Sequence, residues 1–143
     1  MTIIDARVRL PQDRRATKTY QAPSRQTEQY DRVLGLTDKM NSGTLHGLLA
    51  VMEEQGISQA VMHAESEGGE DADALNERLR RVVDEHRTRF VGIGCVDIGN
   101  PSPNAIVAQA VRAQQLGLLG VSFQPAFFGL DIDDRRLYPL YAR

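Results

Sequence analysis

Residues 2–10 alternate, with Ile4, Ala6, Val8 and Leu10 on one side of the pattern and Ile3, Asp5, Arg7 and Arg9 on the other. Successive side chains of a strand point to opposite faces, so this segment predicts a strand with one apolar and one charged face. Periodicity is then lost over residues 11–43, where Gln, Thr, Ser, Arg and Asp are interrupted by Pro23, Gly35 and Asn41-Ser42-Gly43. This stretch reads as a long loop or lid insertion with a short helix around residues 28–34. Loops of such length in compact domains are usually functional lids or disordered.

From residue 44 the period changes to that of a helix. Leu45, Leu48, Leu49 and Met52 form one stripe, Thr44 precedes it as a helix cap, and Gly56 stands where a left-handed stop is expected. Residues 57–63 read as a strand, followed by an acidic, Gly-containing loop over 64–71. Leu75, Leu79, Val82, Val83 and His86 recur at helical spacing, with Arg78, Arg80, Arg81 and Glu85 mainly on the other face. Residues 90–96 are apolar almost throughout, as in a parallel strand covered on both sides. Asn100-Pro101-Ser102-Pro103 introduces a further helix carrying Ile106, Val107, Ala110, Val111 and Leu116, with Gly117 as its stop. A fourth strand is expected over 118–124 and a fourth helix from 133.

The later strands begin roughly 30 residues apart, the spacing of βαβ units. A parallel neighbour is reached only through a crossover, normally a helix, so the order predicts an α/β fold with a parallel sheet. With 143 residues, 41% of them hydrophobic, the chain is expected to form a single domain over 1–143. A net charge of −2 lacks the basic surplus of nucleic-acid binders. No apolar run approaches the ~20 residues of a membrane span, and the N-terminus lacks a secretory pattern, so a cytoplasmic protein without membrane contact is expected. The one cysteine, Cys95, excludes an internal disulfide framework and a multi-cysteine zinc site.

Several segments together resemble the amidohydrolase superfamily, in its amidohydrolase 2 branch of metal-dependent decarboxylases and hydrolases. They are Ile3-Ile4-Asp5-Ala6-Arg7-Val8-Arg9-Leu10-Pro11, Gly56-Ile57-Ser58-Gln59-Ala60-Val61, Asn76 with its basic helix, residues 89–97, Leu116-Gly117-Leu118-Leu119-Gly120-Val121, and residues 134–142. The resemblance implies four βα units of a half or truncated TIM-type barrel, a fold that normally takes about 250 residues. It also implies that Arg7 and Arg9 stand where that branch has a metal-binding His-x-His. A guanidinium stays protonated and has no lone pair to give, so neither arginine replaces an imidazole ligand. The family's later ligands, a histidine on the fifth strand and an aspartate on the eighth, would follow Arg143. No metal and no cofactor are therefore expected.

Arg7 and Arg9 at i and i+2 would suit an anion, carboxylate or phosphate, through paired hydrogen bonds. The competing reading leaves them facing solvent or a partner chain, with Asp5 paired to Arg7. His63 ends a strand at the edge where βα barrels carry their sites, followed by Glu65 and Glu67, yet no second histidine lies at ligand spacing. Ser122 and Gln124 share a face and would line the same region. His46 and His86 fit packing or capping roles, and Cys95 reads as a buried inert thiol. Gly92, Gly94, Gly117 and Gly120 lack the spacing of a phosphate-binding loop and suit close packing and turns.

Two functions follow. In the first, the chain is a non-catalytic amidohydrolase-like subunit or interaction module, a pseudoenzyme that completes its half-barrel by self-association or by pairing with a full-length amidohydrolase-like protein. The alternative is the contributing half of a hydrolase or decarboxylase acting on a small carboxylic acid, with Arg7, Arg9, His63 and Gln124 as tentative anion- or substrate-binding residues.

Overall fold

The computed structural model describes residues 2–11, 29, 32–33, 43–66, 70–99 and 102–142. Within the expected loop over 11–43, Gln29, Arg32 and Val33 are helical, and the rest of 12–42 lies outside the described residues, as does Glu67. The elements are β1 (Ile3–Arg9), α1 (Leu45–Glu54), β2 (Ile57–His63), α2 (Ala72–Glu85), β3 (Phe90–Cys95), α3 (Pro103–Gln115), β4 (Val121–Ser122) and α4 (Tyr138–Tyr141), with 3-10 turns at Pro125–Phe128 and Arg135–Leu137. The strands pair in parallel in the order β1-β2-β3-β4 and, with their helices, form a half-barrel of the TIM type.

Local chemistry sets the helix limits. Thr44 Oγ1 accepts the Gly47 N–H at 3.1 Å to start α1, and Asp71 Oδ1 accepts the Ala74 N–H at 2.8 Å to start α2. Gly56 (φ 66°) and Gly117 (φ 78°) follow α1 and α3 in the left-handed conformation expected of helix stops. The helical stripes turn inward as their spacing predicts: Met52 on α1, Leu75 and Leu79 on α2, and Ile106 on α3 are buried. Each such side chain contributes about 1.5–3 kcal/mol when fully withdrawn from water.

One face of the sheet carries the helices. On β3 a Cβ at Gly92 would lie 2.7 Å from Leu118 and 3.2 Å from Val83, and one at Gly94 would lie 2.7 Å from Asn76 Oδ1. These two glycines therefore admit close helix packing, and the even positions of β3 face the helices. Asn76, fully buried on α2, donates Nδ2 to the Cys95 carbonyl at 2.9 Å and accepts the Cys95 N–H at 2.8 Å, satisfying the strand end where the ladder stops. Cys95 is itself buried, with Sγ 4.0 Å from the Ala72 carbonyl. His86 ends α2 with its ring edge-on to Phe90, centroids 6.0 Å apart, and His46 is exposed on α1.

Three expectations require correction. The apolar side of β1 is buried only at Val8 and Leu10, while Ile4 is 57% exposed, because register irregularities at Ile3/Ile4 and between Asp5 and Val8 interrupt the alternation. The fourth strand shrinks from 118–124 to Val121–Ser122. Leu118 is drawn into the helix-side core, and Pro125, which has no N–H, opens a 3-10 turn. The fourth helix becomes a 3-10 turn followed by a single α-helical turn, fixed to the second core cluster of Val96, Ile98 and Ile106 through Leu137 and Leu140.

Candidate functional site

Parallel α/β sheets gather functional groups at the carboxyl ends of their strands, where side chains leave the sheet and loops begin. Here that end brings together Arg7 and Arg9 from β1, His63 from β2, Glu65 from the following loop and Ser122 from β4. Pairing of Arg9 with His63 in the ladder sets β1 and β2 side by side at this level. Glu65 bridges the arginines: its Oε1 accepts from Arg7 Nη2 at 2.9 Å and its Oε2 meets Arg9 Nε at 3.0 Å. The expected Asp5–Arg7 ion pair is replaced by this bridge, and Asp5 Oδ1 instead accepts the Arg7 backbone N–H at 3.0 Å. The i, i+2 geometry leaves Asp5 closer to the backbone of Arg7 than to its guanidinium, which extends across the sheet to the β2 loop.

The backbone around Glu65 is anchored on both sides. Ala64 N–H donates to the Ile93 carbonyl at 3.0 Å, and the buried Ser66 hydroxyl donates to the Val96 carbonyl at 3.1 Å. His63 Nδ1 lies 3.5 Å from Ser122 Oγ, and that hydroxyl is 3.4 Å from the Gly94 carbonyl. Burial, and then the neighbouring charge of Arg7, lower the His63 pKa below 6.5, against smaller opposing effects from Ala6 and Glu65. Burial and the Arg7 charge both favour the neutral imidazole.

Of the four tentative site residues, the fold joins Arg7, Arg9 and His63 in one neighbourhood. Gln124 leads the Pro125–Phe128 turn, its carbonyl accepting the Phe127 N–H at 3.2 Å, and no hydrogen bond ties its side chain to that group among the described residues. In the sequence Glu65 stands only as a carboxylate near His63; the signal for its contact with β1 is the pair of cations, Arg7 and Arg9, on that neighbouring strand.

The donor set does not fit a divalent metal. The neighbourhood offers one imidazole and one carboxylate whose two oxygens are engaged by guanidinium groups, and two permanent cations stand beside them. Among the described residues no three His, Cys, Asp or Glu side chains converge as metal ligands, and no helix is long and apolar enough to cross a membrane.

No family model matches the chain, and no curated protein matches it in sequence. Solved structures do match in fold. The 5-carboxyvanillate decarboxylase LigW from Sphingomonas paucimobilis superposes with a TM-score of 0.68 at 17% identity, over 99% of this chain and 48% of that one. LigW2 from Novosphingobium aromaticivorans, solved with bound manganese and 3-methoxy-4-hydroxy-5-nitrobenzoic acid, gives 0.62 at 19%, over 99% and 47%. The 4-oxalomesaconate hydratase LigJ from Rhodopseudomonas palustris gives 0.60 at 18%, over 99% and 48%. The chain thus spans about half the length of the solved chains it matches. At such identities the likeness establishes a shared fold, over about half of each of these chains.

Proposed function

We propose that the chain is a non-catalytic, amidohydrolase-like half-barrel whose role is association, completing its core against a second half-barrel, for which another copy of the same chain is the simplest supplier. The observation that carries this reading is the sheet face turned away from the helices. Val61, Val91 and Ile93, alternating with buried Ala60, Met62 and Phe90, are only half-buried there. In a closed barrel the inward side chains fill the centre in layers, so half the strands leave that layer uncovered. Among the described residues the outer edges of β1 and β4 carry no neighbouring strand, and open edges favour pairing between chains.

The non-catalytic part of the reading is supported by the strand-end chemistry. Arg7 and Arg9 occupy the positions that the family resemblance gives to ligating histidines, and their charge opposes a metal cation at close range. The alternative, half of a hydrolase or decarboxylase for a small carboxylic acid, draws on the fold neighbours and on Arg7 and Arg9 as binders of the substrate anion.

Equilibrium sedimentation of the full chain tests association, and metal analysis of protein produced with manganese present tests the loss of catalysis. The expected result is a dimer or larger assembly carrying well under one metal per chain. A folded monomer at tens of micromolar would overturn the association, and stoichiometric bound metal would overturn the non-catalytic assignment.

A further inference from the structure

We infer that Arg7 and Arg9 form a carboxylate-binding clamp that the chain masks with its own Glu65, so that a small carboxylate ligand enters only by displacing that side chain. The clamp concerns these three residues alone and holds whether or not the half-barrel associates.

The geometry shows what the clamp accepts. Each arginine takes a different oxygen of one planar carboxylate, Arg7 through Nη2 and Arg9 through Nε, at 2.9 and 3.0 Å. A guanidinium has five N–H donors; Arg7 donates one, from Nη2, to Glu65, and Arg9 meets the same carboxylate as an ion pair. The arginine side chains remain 53% and 59% exposed, whereas that of Glu65 is 17% exposed. The cations thus lie on the solvent side of the carboxylate they hold, and their remaining donors are reachable.

The mask is confined to a side chain. Ala64 and Ser66 are each bonded to the β3 segment, at Ile93 and Val96, so releasing the clamp requires rotation of Glu65 about its own side-chain bonds without refolding of the loop. Half-exposed ion pairs in water are weak, so Glu65 can be displaced, and as a tethered carboxylate it competes with a free one from the advantage of proximity. Asp5, the other carboxylate near Arg7, is turned to the Arg7 backbone N–H.

Titration of the full chain with succinate, followed by backbone and arginine side-chain NMR at constant ionic strength, tests the clamp. Removing the mask in Glu65→Ala should tighten succinate binding by about three- to thirtyfold over wild type, the range set by losing two weak ion pairs. Adding Arg7→Ala and Arg9→Ala to that variant should abolish it. If Glu65→Ala does not fold, Glu65→Gln, which keeps the side-chain shape and removes the charge, carries the same expectation. Equal or weaker binding after unmasking, or binding that survives loss of both arginines, would overturn the clamp. A parallel titration with inorganic phosphate that saturates at lower concentration than succinate would overturn its assignment to carboxylates. Since sedimentation reports association separately, a monomer that binds succinate only when unmasked would refute the proposed function and leave the clamp standing.

Discussion

Glu65 shows how far a residue's role can lie from its sequence neighbours. The alternation in β1 places Arg7 and Arg9 on one face, and that much is legible from the period of the strand. Which carboxylate neutralises them is decided by parallel pairing of β1 with β2, which brings a residue 58 positions from Arg7 into contact while Asp5, two positions away, bonds to backbone. His63 is a second case, since its placement at a strand end was readable but its environment was not. Burial and Arg7 favour its neutral form, so its midpoint in the folded protein lies below 6.5. The folded state then binds the proton less readily than the unfolded chain. The resulting stability is complete above pH 6.5 and is lost as pH falls through the lowered midpoint. An NMR titration of the ring should give that lower midpoint, and denaturation midpoints should fall between pH 7.5 and pH 5 by less in His63→Gln than in wild type. A ring midpoint at or above 6.5 would contradict the environment described.

At the scale of elements, β2 and the three long helices are set by apolar period, with Thr44 and Asp71 capping α1 and α2 and Pro103 opening α3 without a side-chain cap, all local properties, and for that reason they stand where the pattern predicts them. The fourth strand and fourth helix depend on tertiary context. Leu118 looks like a strand residue in sequence, yet its side chain packs above Gly92 and Gly94 in the helix layer. Bonding to β3 begins after it, with the Leu119 N–H donating to the Gly92 carbonyl at 3.0 Å and regular pairing from Val121. The turn between α3 and β4 depends on a backbone only glycine tolerates well. Gly117 has φ 78°, and a Cβ there would also meet Arg80 Nη1 at 2.9 Å, whereas Gly120 has no atom within 4 Å of its would-be Cβ. Gly117→Ala should therefore cost about 1–2 kcal/mol in chemical denaturation. Gly120→Ala should change stability by no more than about 0.5 kcal/mol. Equal effects of the two substitutions would show that the turn does not depend on the left-handed residue.

For the whole molecule, the βα spacing made the half-barrel legible, because parallel crossovers impose a repeat that survives without any single decisive motif. What spacing does not reveal is the condition of the face opposite the helices. Val61, Val91 and Ile93 have the alternation of a covered strand, and in the folded chain they are only half covered. The helix-side core of Met62, Leu79 and Phe90 is fully buried within the single chain, so the proposed association would finish the second layer and not the first. A charge placed in that second layer should separate copies without unfolding them. Light scattering of the wild type beside Val91→Glu, with circular dichroism to confirm that both are folded, measures this directly. The expected result is a wild-type mass of at least two chains and a Val91→Glu mass of one; a monomeric wild type, or a folded Val91→Glu that keeps the assembled mass, would contradict association through the open face.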